Sequence, residues 1–469
     1  LALWGTQALL ALVPKEIPRA ASIQLDVSVL FFTLAISVVT GIIFGLAPAL
    51  QATSLDFNSA LKASARGLRS SARGTRFGRA LVVSEIALAV VVLVGAGLLL
   101  QSFKRLGEAK SGMQTDQLLT ARITLPDVAY PRPEMIVGFY DRLIARLRSM
   151  PGVRVASTTF PLPLSGSVST TSFDRAEHPF PVNELPNEVT QLVGSDYFPA
   201  MGIPLLRGRR FADSDRLGSK PVVIVNERFA EKYFPGEDAV GQHIKPSWAM
   251  GNEPPQMREI IGVTGNAKHL ALKDDFVPEM YVPIAQIGYP TSTILLRTEN
   301  SNPAAMANVL RQALAQTDPS VPLTAVRTFA DYRSRSLGTA RFNALLLSIF
   351  AGIALALAAI GVYGVTAYSV AQRTGEIGVR MALGAQRSAI LRLILGEGIR
   401  IVALSLVLGC AGAFVCARFL RGLLYEIAPW DSATFAAIAL LLALIALLAC
   451  WLPARRASQL NPLEALRSE

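Results

Sequence analysis

Cysteine and histidine are scarce in this sequence, with three of each among 469 residues. All three cysteines lie in long apolar stretches, at Cys410, Cys416 and Cys450. They therefore do not form the disulfide framework that holds small secreted domains together. The histidines lie far apart along the chain, at His178, His243 and His269. Their spacing does not match that of metal ligands, so no metal site is predicted.

The motifs of common catalytic sites are also absent. The sequence contains no GxxxxGK[ST] loop, which would cradle nucleotide phosphates, and no G-x-S-x-G or H-E-x-x-H motif. No apolar stretch holds a pair of carboxylates that would indicate a proton relay. We therefore predict no catalytic residue and no bound cofactor, and we predict that the chain is not an enzyme.

Charged residues are missing from five long stretches: 27–55, 86–103, 342–372, 401–417 and 432–454. Across the chain, 51% of residues are apolar and the mean hydropathy is +0.40. Each stretch is close to the roughly 20 residues that cross about 30 Å of hydrocarbon as a helix. The sequence predicts five transmembrane helices, with the second starting near residue 80.

The net charge of +11 is concentrated between these stretches. Segment 56–79 carries +5, segment 373–400 carries +3 and the tail 455–469 carries +1. Positively charged loops stay in the cytoplasm, which predicts that 1–26, 104–341 and 418–431 lie outside. This alternation explains the basic balance better than a nucleic-acid surface does. Because it also puts the N-terminus outside, and the chain begins with Leu1, we expect at least one further span upstream.

An internal repeat relates the first predicted span to the last. Without a gap, 45–62 aligns with 450–467, matching Pro48 with Pro453, and Asp26 falls on Asp431 at the start of the two spans. We interpret the first span as the closing helix of an earlier copy of the same unit. From residue 80 a second unit follows, with one helix, a large outer domain and three helices.

The outer domain shows strand and helix patterns. Apolar and polar residues alternate at 118–125, apolar residues repeat at helical spacing from Pro133, and 153–160 has the pattern of a strand. Together these patterns predict one β-α-β unit. A second is predicted from 291–298, through a helix capped by Asn302, to 322–328. Between them, an insertion at about 188–287 has the mixed pattern of an α+β subdomain, and 165–172 has the composition of a loop.

Glycines in the apolar stretches predict close helix contacts. The candidates are Gly41, Gly45, Gly352, Gly361 and Gly364, and for Gly361 and Gly364 a dimer interface stays open as an alternative to packing within the subunit. Glu85 lies near the cytoplasmic side of its span. It either pairs locally or takes part in gating.

Segment 373–395 resembles the coupling region of FtsX-like permeases of the MacB type. In those permeases a glutamate, an arginine and an Ala-x-Gly-Ala turn recur. This chain has the corresponding residues at Glu376, Ile377, Gly378, Arg380, Met381, Ala382, Gly384 and Ala385. Segments 79–103 and 461–469 resemble the opening helix and the end of such permeases. From the residues alone, a solvated basic loop and a short amphipathic docking helix are equally open, and the resemblance favours the helix. In that helix Ile377, Met381 and the Gly384–Ala385 corner would dock into a groove of a soluble partner, while Glu376 and Arg380 would set the register.

The resemblance implies a fold of five membrane helices, four of them in one FtsX-type unit, plus an α+β periplasmic domain with two β-α-β units and an inserted mixed subdomain. It implies a permease of the inner membrane that transmits the motion of a partner ABC ATPase to its periplasmic domain for efflux. The duplication points to the duplicated orphan permeases of that superfamily. Further partners implied are a second permease unit, in the same chain or as a homodimer, and possible periplasmic adaptor and outer-membrane channel proteins.

Two other functions remain open at this stage. An FtsX-like regulator would activate a cell-wall hydrolase or sense a drug without transport. A membrane-tethered enzyme has less support, because no nucleophile, base or metal cluster emerges from the sequence.

Overall fold

The structure is a computed structural model, and it describes residues 26–53, 71–247, 255–299, 302–372, 374–383 and 386–459. It divides into two compact units. One is formed by residues 106–337 and is called here the outer unit. The other, called the membrane unit, is formed by the described residues before and after it.

The membrane unit consists of helices. Their bounds are α1 Val27–Thr53, α2 Ser71–Glu108, α7 Phe329–Gln372, α8 Thr374–Ala382, α9 Arg387–Ala417 and α10 Ser432–Ser458, where α3 to α6 belong to the outer unit and α7 begins there. Helices α2, α7, α9 and α10 are long and apolar enough to cross a membrane. In α1 the described apolar part is Val27–Val39, so the fifth span stays a prediction.

The helices extend beyond the apolar stretches from which they were predicted. Helix α9 begins at Arg387, although its apolar stretch begins at 401, and α7 begins at Phe329 instead of 342. Apolarity marks only the part of a helix that faces hydrocarbon, whereas the backbone hydrogen bonds continue into charged sequence. The predicted coupling segment 373–400 is therefore α8 together with the first part of α9.

Helix α2 lies at the centre of the membrane unit. Ile86, Val90, Val94 and Leu98 follow one another at four-residue spacing, which places them on one face, and all are buried. Other helices cover them with small and apolar side chains, including Ala351, Val402 and Leu442. A helix that carries bulky residues in its middle thus packs against neighbours that leave room for them.

One layer of the outer unit is built from the two strand–helix–strand segments. The strands are β1 Leu118–Thr124, β2 Val153–Phe160, β10 Thr291–Thr298 and β11 Leu323–Thr328, and the helices are α3 Pro133–Arg148 and α6 Ala307–Thr317. The strand order is β11-β1-β10-β2, with antiparallel neighbours throughout. Leu119, Ala121 and Ile123 alternate along β1 and pack against both helices in one core.

The remaining strands extend this sheet and then close on themselves. Their bounds are β3 Thr170–Arg175, β4 Asn187–Val193, β5 Leu205–Gly208, β6 Val222–Asn226, β7 His243–Pro246, β8 Arg258–Thr264 and β9 Glu279–Pro283, with short helices α4 Tyr197–Met201 and α5 Glu227–Tyr233. Pairing runs from β4 through β3, β7, β8, β6 and β9 back to β4. Six strands therefore form a closed ring, while β5 pairs with β8 outside it.

Two local predictions in this unit were wrong. The segment 165–172 was predicted as a loop, but β3 begins at Thr170, because pairing with β4 and β7 overrides its serine and threonine composition. Asn302 was predicted to cap a helix, but its side chain makes no capping hydrogen bond, and a 3-10 turn, Pro303–Met306, precedes α6. The ring also starts before residue 188, because β3 is one of its strands.

Asn226 joins three parts of the ring. Its Oδ1 accepts hydrogen bonds from the backbone N–H of Phe229 and of Glu279, each at 2.9 Å. Its Nδ2 donates to the carbonyl of Val277 at 2.7 Å. The side chain is fully buried, so it caps α5 and also fixes the start of β9.

We expect Asn226→Ala to destabilise the outer unit by about 2–4 kcal/mol, because two buried N–H groups and one carbonyl lose their partners. The free energy of opening, measured by native-state hydrogen exchange of the amides in 222–226, checks this. Asn308→Ala is the control, since Asn308 is exposed on α6 and accepts only from Arg311. Equal stability of the two variants would contradict this role of Asn226.

Candidate coupling site and helix contacts

Helix α8 connects two of the candidate spans and is held against its own chain. Ile377 is 3% exposed and packs in a small cluster with Ile390 of α9 and Ala457 of α10. Met381 packs at the edge of the same cluster. The apolar side chains that were predicted to dock into a partner thus face inward, and they fix the position of α8.

The outward side of α8 carries different residues. Val379 is 45% exposed, Leu383 directly after the helix is 83% exposed, and Arg380 between them is exposed as well. Glu376, Gly378 and Ala382 lie within the helix, but their side chains fall outside the described part of the structure. Gly384 and Ala385 lie outside the described residues.

An ion pair links α2 to α9 within the membrane unit. Arg79 Nη2 lies 3.0 Å from Glu397 Oε2, and both side chains are about one-third exposed. Such a half-exposed pair contributes little to stability, up to about 1 kcal/mol. A small cleft beside the pair is lined by Arg79, Glu397 and Ile377 of α8.

The predicted glycine contacts divide into two groups. A methyl group added at Gly361 would lie 2.5 Å from Glu85 Oε2, so this glycine makes room for the carboxylate of the neighbouring helix. The same addition at Gly352 or Gly364 would meet nothing within 4 Å. Gly41 and Gly45 lie in α1, and their surroundings fall outside the described part of the structure.

Further close helix approaches occur at glycines that sequence reasoning missed. A methyl group at Gly409 of α9 would lie 2.6 Å from Cβ of Val90 and 2.9 Å from the carbonyl of Ala87. At Gly398 it would lie 2.6 Å from Cys450 Sγ, and at Gly97 it would lie 2.9 Å from Thr434. These glycines do not form a spaced motif, so only the partner helix identifies them.

We expect Gly409→Leu to destabilise the membrane unit by about 1–3 kcal/mol, because the side chain would overlap the backbone of α2. Gly352→Leu, the matched control, should change stability by less than about 0.5 kcal/mol. The thermal midpoint of the detergent-purified full chain, followed by size-exclusion chromatography, compares them. A similar loss for both variants would contradict the close contact of α9 with α2.

A buried polar network lies on the outside of the strand ring. Gln191 Nε2 is 2.6 Å from His269 Nδ1 and donates to Glu279 Oε2 at 3.4 Å. Tyr281 donates to the same carboxyl oxygen at 2.5 Å, and Tyr197 donates to Gln191 Oε1 at 3.0 Å. The network joins β4, β9 and the segment between β8 and β9.

Burial controls the protonation of this network. It raises the pKa of Glu279 to about 8, against the weaker effect of the hydrogen bonds from Tyr281 and Gln191. It lowers the pKa of His269 to about 4. At neutral pH both side chains are therefore uncharged, which is the form that a site without water tolerates.

The stability of the outer unit should fall between pH 6.5 and 8. In this window the folded state keeps the Glu279 proton, whereas the unfolded chain, with its carboxyl pKa near 4.5, has released it. His269 acts in the opposite sense, but only below its ordinary pKa of 6.5. We expect a slope of about 1.4 kcal/mol per pH unit in wild type and its loss in Glu279→Gln, measured by denaturant unfolding.

Glu299→Gln is the control for this prediction, because Glu299 is exposed directly after β10 in the same unit and its replacement should leave the slope unchanged. Parallel curves for wild type and Glu279→Gln would show that the buried carboxyl does not hold its proton.

Two family models match the chain. The MacB-like periplasmic core domain matches residues 80–313, and the FtsX-like permease C-terminal model matches residues 348–462. Together they cover most of the sequence, including most of α2, most of the outer unit, α8 and the last two spans.

Curated relatives agree with this match. The macrolide export ATP-binding/permease protein MacB 2 of Aeromonas hydrophila is 29% identical over 295 residues, which cover 59% of this chain and 43% of that protein. The pyoverdine export ATP-binding/permease protein PvdT of Pseudomonas entomophila is 30% identical over 292 residues, covering 58% and 42%. An uncharacterized ABC transporter permease of Bacillus subtilis, YvrN, is 28% identical over 292 residues, covering 59% and 69%.

The chain thus spans less than half the length of the first two of these relatives. Its four apolar helices, its outer unit and the two family models give one consistent assignment. The chain belongs to the MacB-like ABC transporter permeases.

Proposed function

We propose that the chain is the permease subunit of an export complex and that it transmits the motion of a partner ABC ATPase to the outer unit. Family membership and the export function in the names of two relatives support this proposal. The observation that carries it is helix α8, a short helix between two candidate spans that is anchored on one side and exposed on the other.

A separate ATPase is part of the proposal. The 469 residues contain no GxxxxGK[ST] loop, so they lack the backbone cradle and lysine that bind nucleotide phosphates. The names of the first two relatives combine ATP-binding and permease functions, whereas YvrN is named as a permease. ATP would therefore act on this chain through a contact and not through a bound nucleotide.

The contact surface in this proposal is the outward side of α8, formed by Val379, Arg380 and Leu383. Val379 and Leu383 would supply the apolar centre of this contact, and Arg380 would supply a charge at its rim. Ile377 and Met381 transmit the push, because they connect α8 to α9 and α10 through a packed core. Glu376, Gly378, Ala382, Gly384 and Ala385 belong to the same proposed contact segment.

Helix α7 suits the transmission of force. It runs without interruption for 44 residues, about 65 Å at the rise of an α-helix, which is about twice the thickness of the hydrocarbon core. A continuous helix carries an axial displacement without loss, because its backbone hydrogen bonds resist compression. The proposal does not need a polar path through the spans.

The proposed setting is the inner membrane, with the outer unit on the periplasmic side and α8 in the cytoplasm, as the basic segments favour. A second permease unit, from a duplicated half or another copy of the chain, would complete the complex. Adaptor and outer-membrane channel proteins are further proposed partners of the outer unit.

We expect the double variant Arg380→Glu, Leu383→Glu to lose stimulation of the partner ATPase by about tenfold or more, because it places two charges at the proposed anchor. Glu376→Arg with Arg380→Glu should show the same loss. The measurement is ATP hydrolysis by the ATPase that co-purifies with the full chain in lipid vesicles. Arg392→Glu on the exposed side of α9 is the control for the charge reversal at Arg380.

Unchanged stimulation in both double variants, with normal membrane insertion, would remove α8 from the coupling path. An ATPase that responds normally while the outer unit activates a cell-wall hydrolase, without transport, would favour the regulator function instead.

A further inference from the structure

Two adjacent arginines at the end of α10 are not used by the functions above. Arg455 and Arg456 are the first charged residues after the uncharged stretch 432–454, and both are exposed. They lie at the same end of the membrane unit as α8, because the next residue, Ala457, packs in a cluster with Ile377. Within the described part of the chain, neither arginine forms an ion pair.

Both guanidinium groups are held toward the apolar part of the helices. Arg456 Nη1 donates to the hydroxyl of Tyr363 on α7 at 3.1 Å. The guanidinium carbon of Arg455 lies 5.2 Å from the ring centre of Trp451, one turn earlier on α10. Tyr363 and Trp451 both belong to the uncharged stretches of their helices. The two cations therefore lie at the boundary of the apolar sequence, where arginine side chains and aromatic rings meet lipid headgroups.

The surface that leads to these arginines is apolar. Five exposed residues follow one another at helical spacing and therefore share one side of α10, namely Leu448, Trp451, Leu452, Arg455 and Arg456. On α7, Ile360 is exposed one turn before Tyr363. A ligand that covers this surface must be apolar along most of its length and must carry negative charge at one end.

Acidic residues of the neighbouring helices α2 and α9 do not neutralise the two arginines. Glu397 pairs with Arg79 at 3.0 Å. Glu85 lies against Gly361, where an added methyl group would lie 2.5 Å from Glu85 Oε2. The contacts with the tyrosine hydroxyl and the indole ring use few of the N–H donors of the two guanidinium groups. The other donors can bind phosphate oxygens in pairs, which is the anion geometry that arginine fits best.

From this arrangement we infer that Arg455, Arg456 and Tyr363 form a binding site for the phosphate of an anionic phospholipid, whose acyl chains cover the apolar side of α10. A zwitterionic lipid fits less well, because its positive group would lie beside two cations. An acidic segment of a soluble partner also fits less well, because Tyr363 and Trp451 hold the guanidinium groups against apolar sequence. The inference concerns lipid binding by the membrane unit and does not depend on coupling to an ATPase.

A chain with one tryptophan reports lipid binding at this place. Trp4, Trp248 and Trp430 are replaced by phenylalanine, which leaves Trp451. The full chain is reconstituted in vesicles of phosphatidylglycerol or phosphatidylcholine with brominated acyl chains, which quench the fluorescence of a nearby indole. We expect phosphatidylglycerol to bind about threefold to tenfold more strongly than phosphatidylcholine at Trp451. Equal binding of the two lipids would overturn the inference.

Native mass spectrometry of the detergent-purified chain with all its tryptophans gives a second measurement, which serves if the substituted chain does not fold. With both lipids present, the chain should retain phosphatidylglycerol in preference to phosphatidylcholine. Retention of both lipids in equal amounts would count against the site in the same way.

The double variant Arg455→Gln, Arg456→Gln should bind the two lipids about equally, because the charge that selects the phosphate is gone. Arg418→Gln with Arg421→Gln is the matched control, since it removes the same charge from two exposed arginines in the loop before α10, at the opposite end of that helix. A preference that survives in the first variant, or that is lost equally in the control, would place the lipid elsewhere.

Tyr363→Phe tests the role of the hydroxyl, because it removes only the hydrogen bond that orients Arg456. The preference for phosphatidylglycerol should fall by about twofold to threefold, while the thermal midpoint stays close to that of wild type. An unchanged preference would contradict the part of Tyr363 in the site.

Two further outcomes separate the lipid from other anions. Excess inorganic phosphate should leave the lipid preference unchanged, and its loss would show that the arginines bind a free anion. If Arg455→Gln, Arg456→Gln kept the lipid preference but lost stimulation of the partner ATPase, the arginines would belong to a contact with that protein.

Discussion

Close packing around helix α2 is the constraint on which the membrane unit depends. A bilayer supplies no water, so each spanning segment must satisfy its backbone as a helix, and helices can then associate only through side-chain fit and short approaches. Gly409 meets Val90 and Gly97 meets Thr434, while Gly361 accommodates Glu85. These contacts bring α7, α9 and α10 against one central helix, and α8 is anchored on two of them through Ile377.

The outer unit follows from a different requirement, which is the closure of sheet edges. Strand β4 pairs with β2 for only two residues and then with β3 and β9, so the extended sheet leaves the first layer and closes into a ring. A closed ring has no free edge to aggregate. The same departure of β4 from β2 lies beside the cavity of about 280 Å³ that Gly194 lines, so one topological feature accounts for both the ring and the cavity.

The position of α8 changes how its residues are understood. The sequence predicted that Ile377 and Met381 dock into a partner, because an apolar side of a short helix can face either a partner or the helix's own chain and the sequence does not show which. In the structure Ile377 packs on Ile390 and Ala457, and Leu383 is the exposed apolar residue. The buried anchor of α8 and its proposed contact surface are therefore formed by different residues.

Much of the architecture was determined by the sequence alone. Uncharged stretches identify spans because hydrocarbon excludes charge, and the strands at 153–160 and 291–298 have the same bounds in the structure because their apolar and β-branched residues are local signals. The tertiary structure decided which glycines approach a neighbour, which side of α8 is buried, how the strands close into a ring and where Ser157 meets Gly194. Each of these depends on residues far apart in sequence, so no local pattern records them.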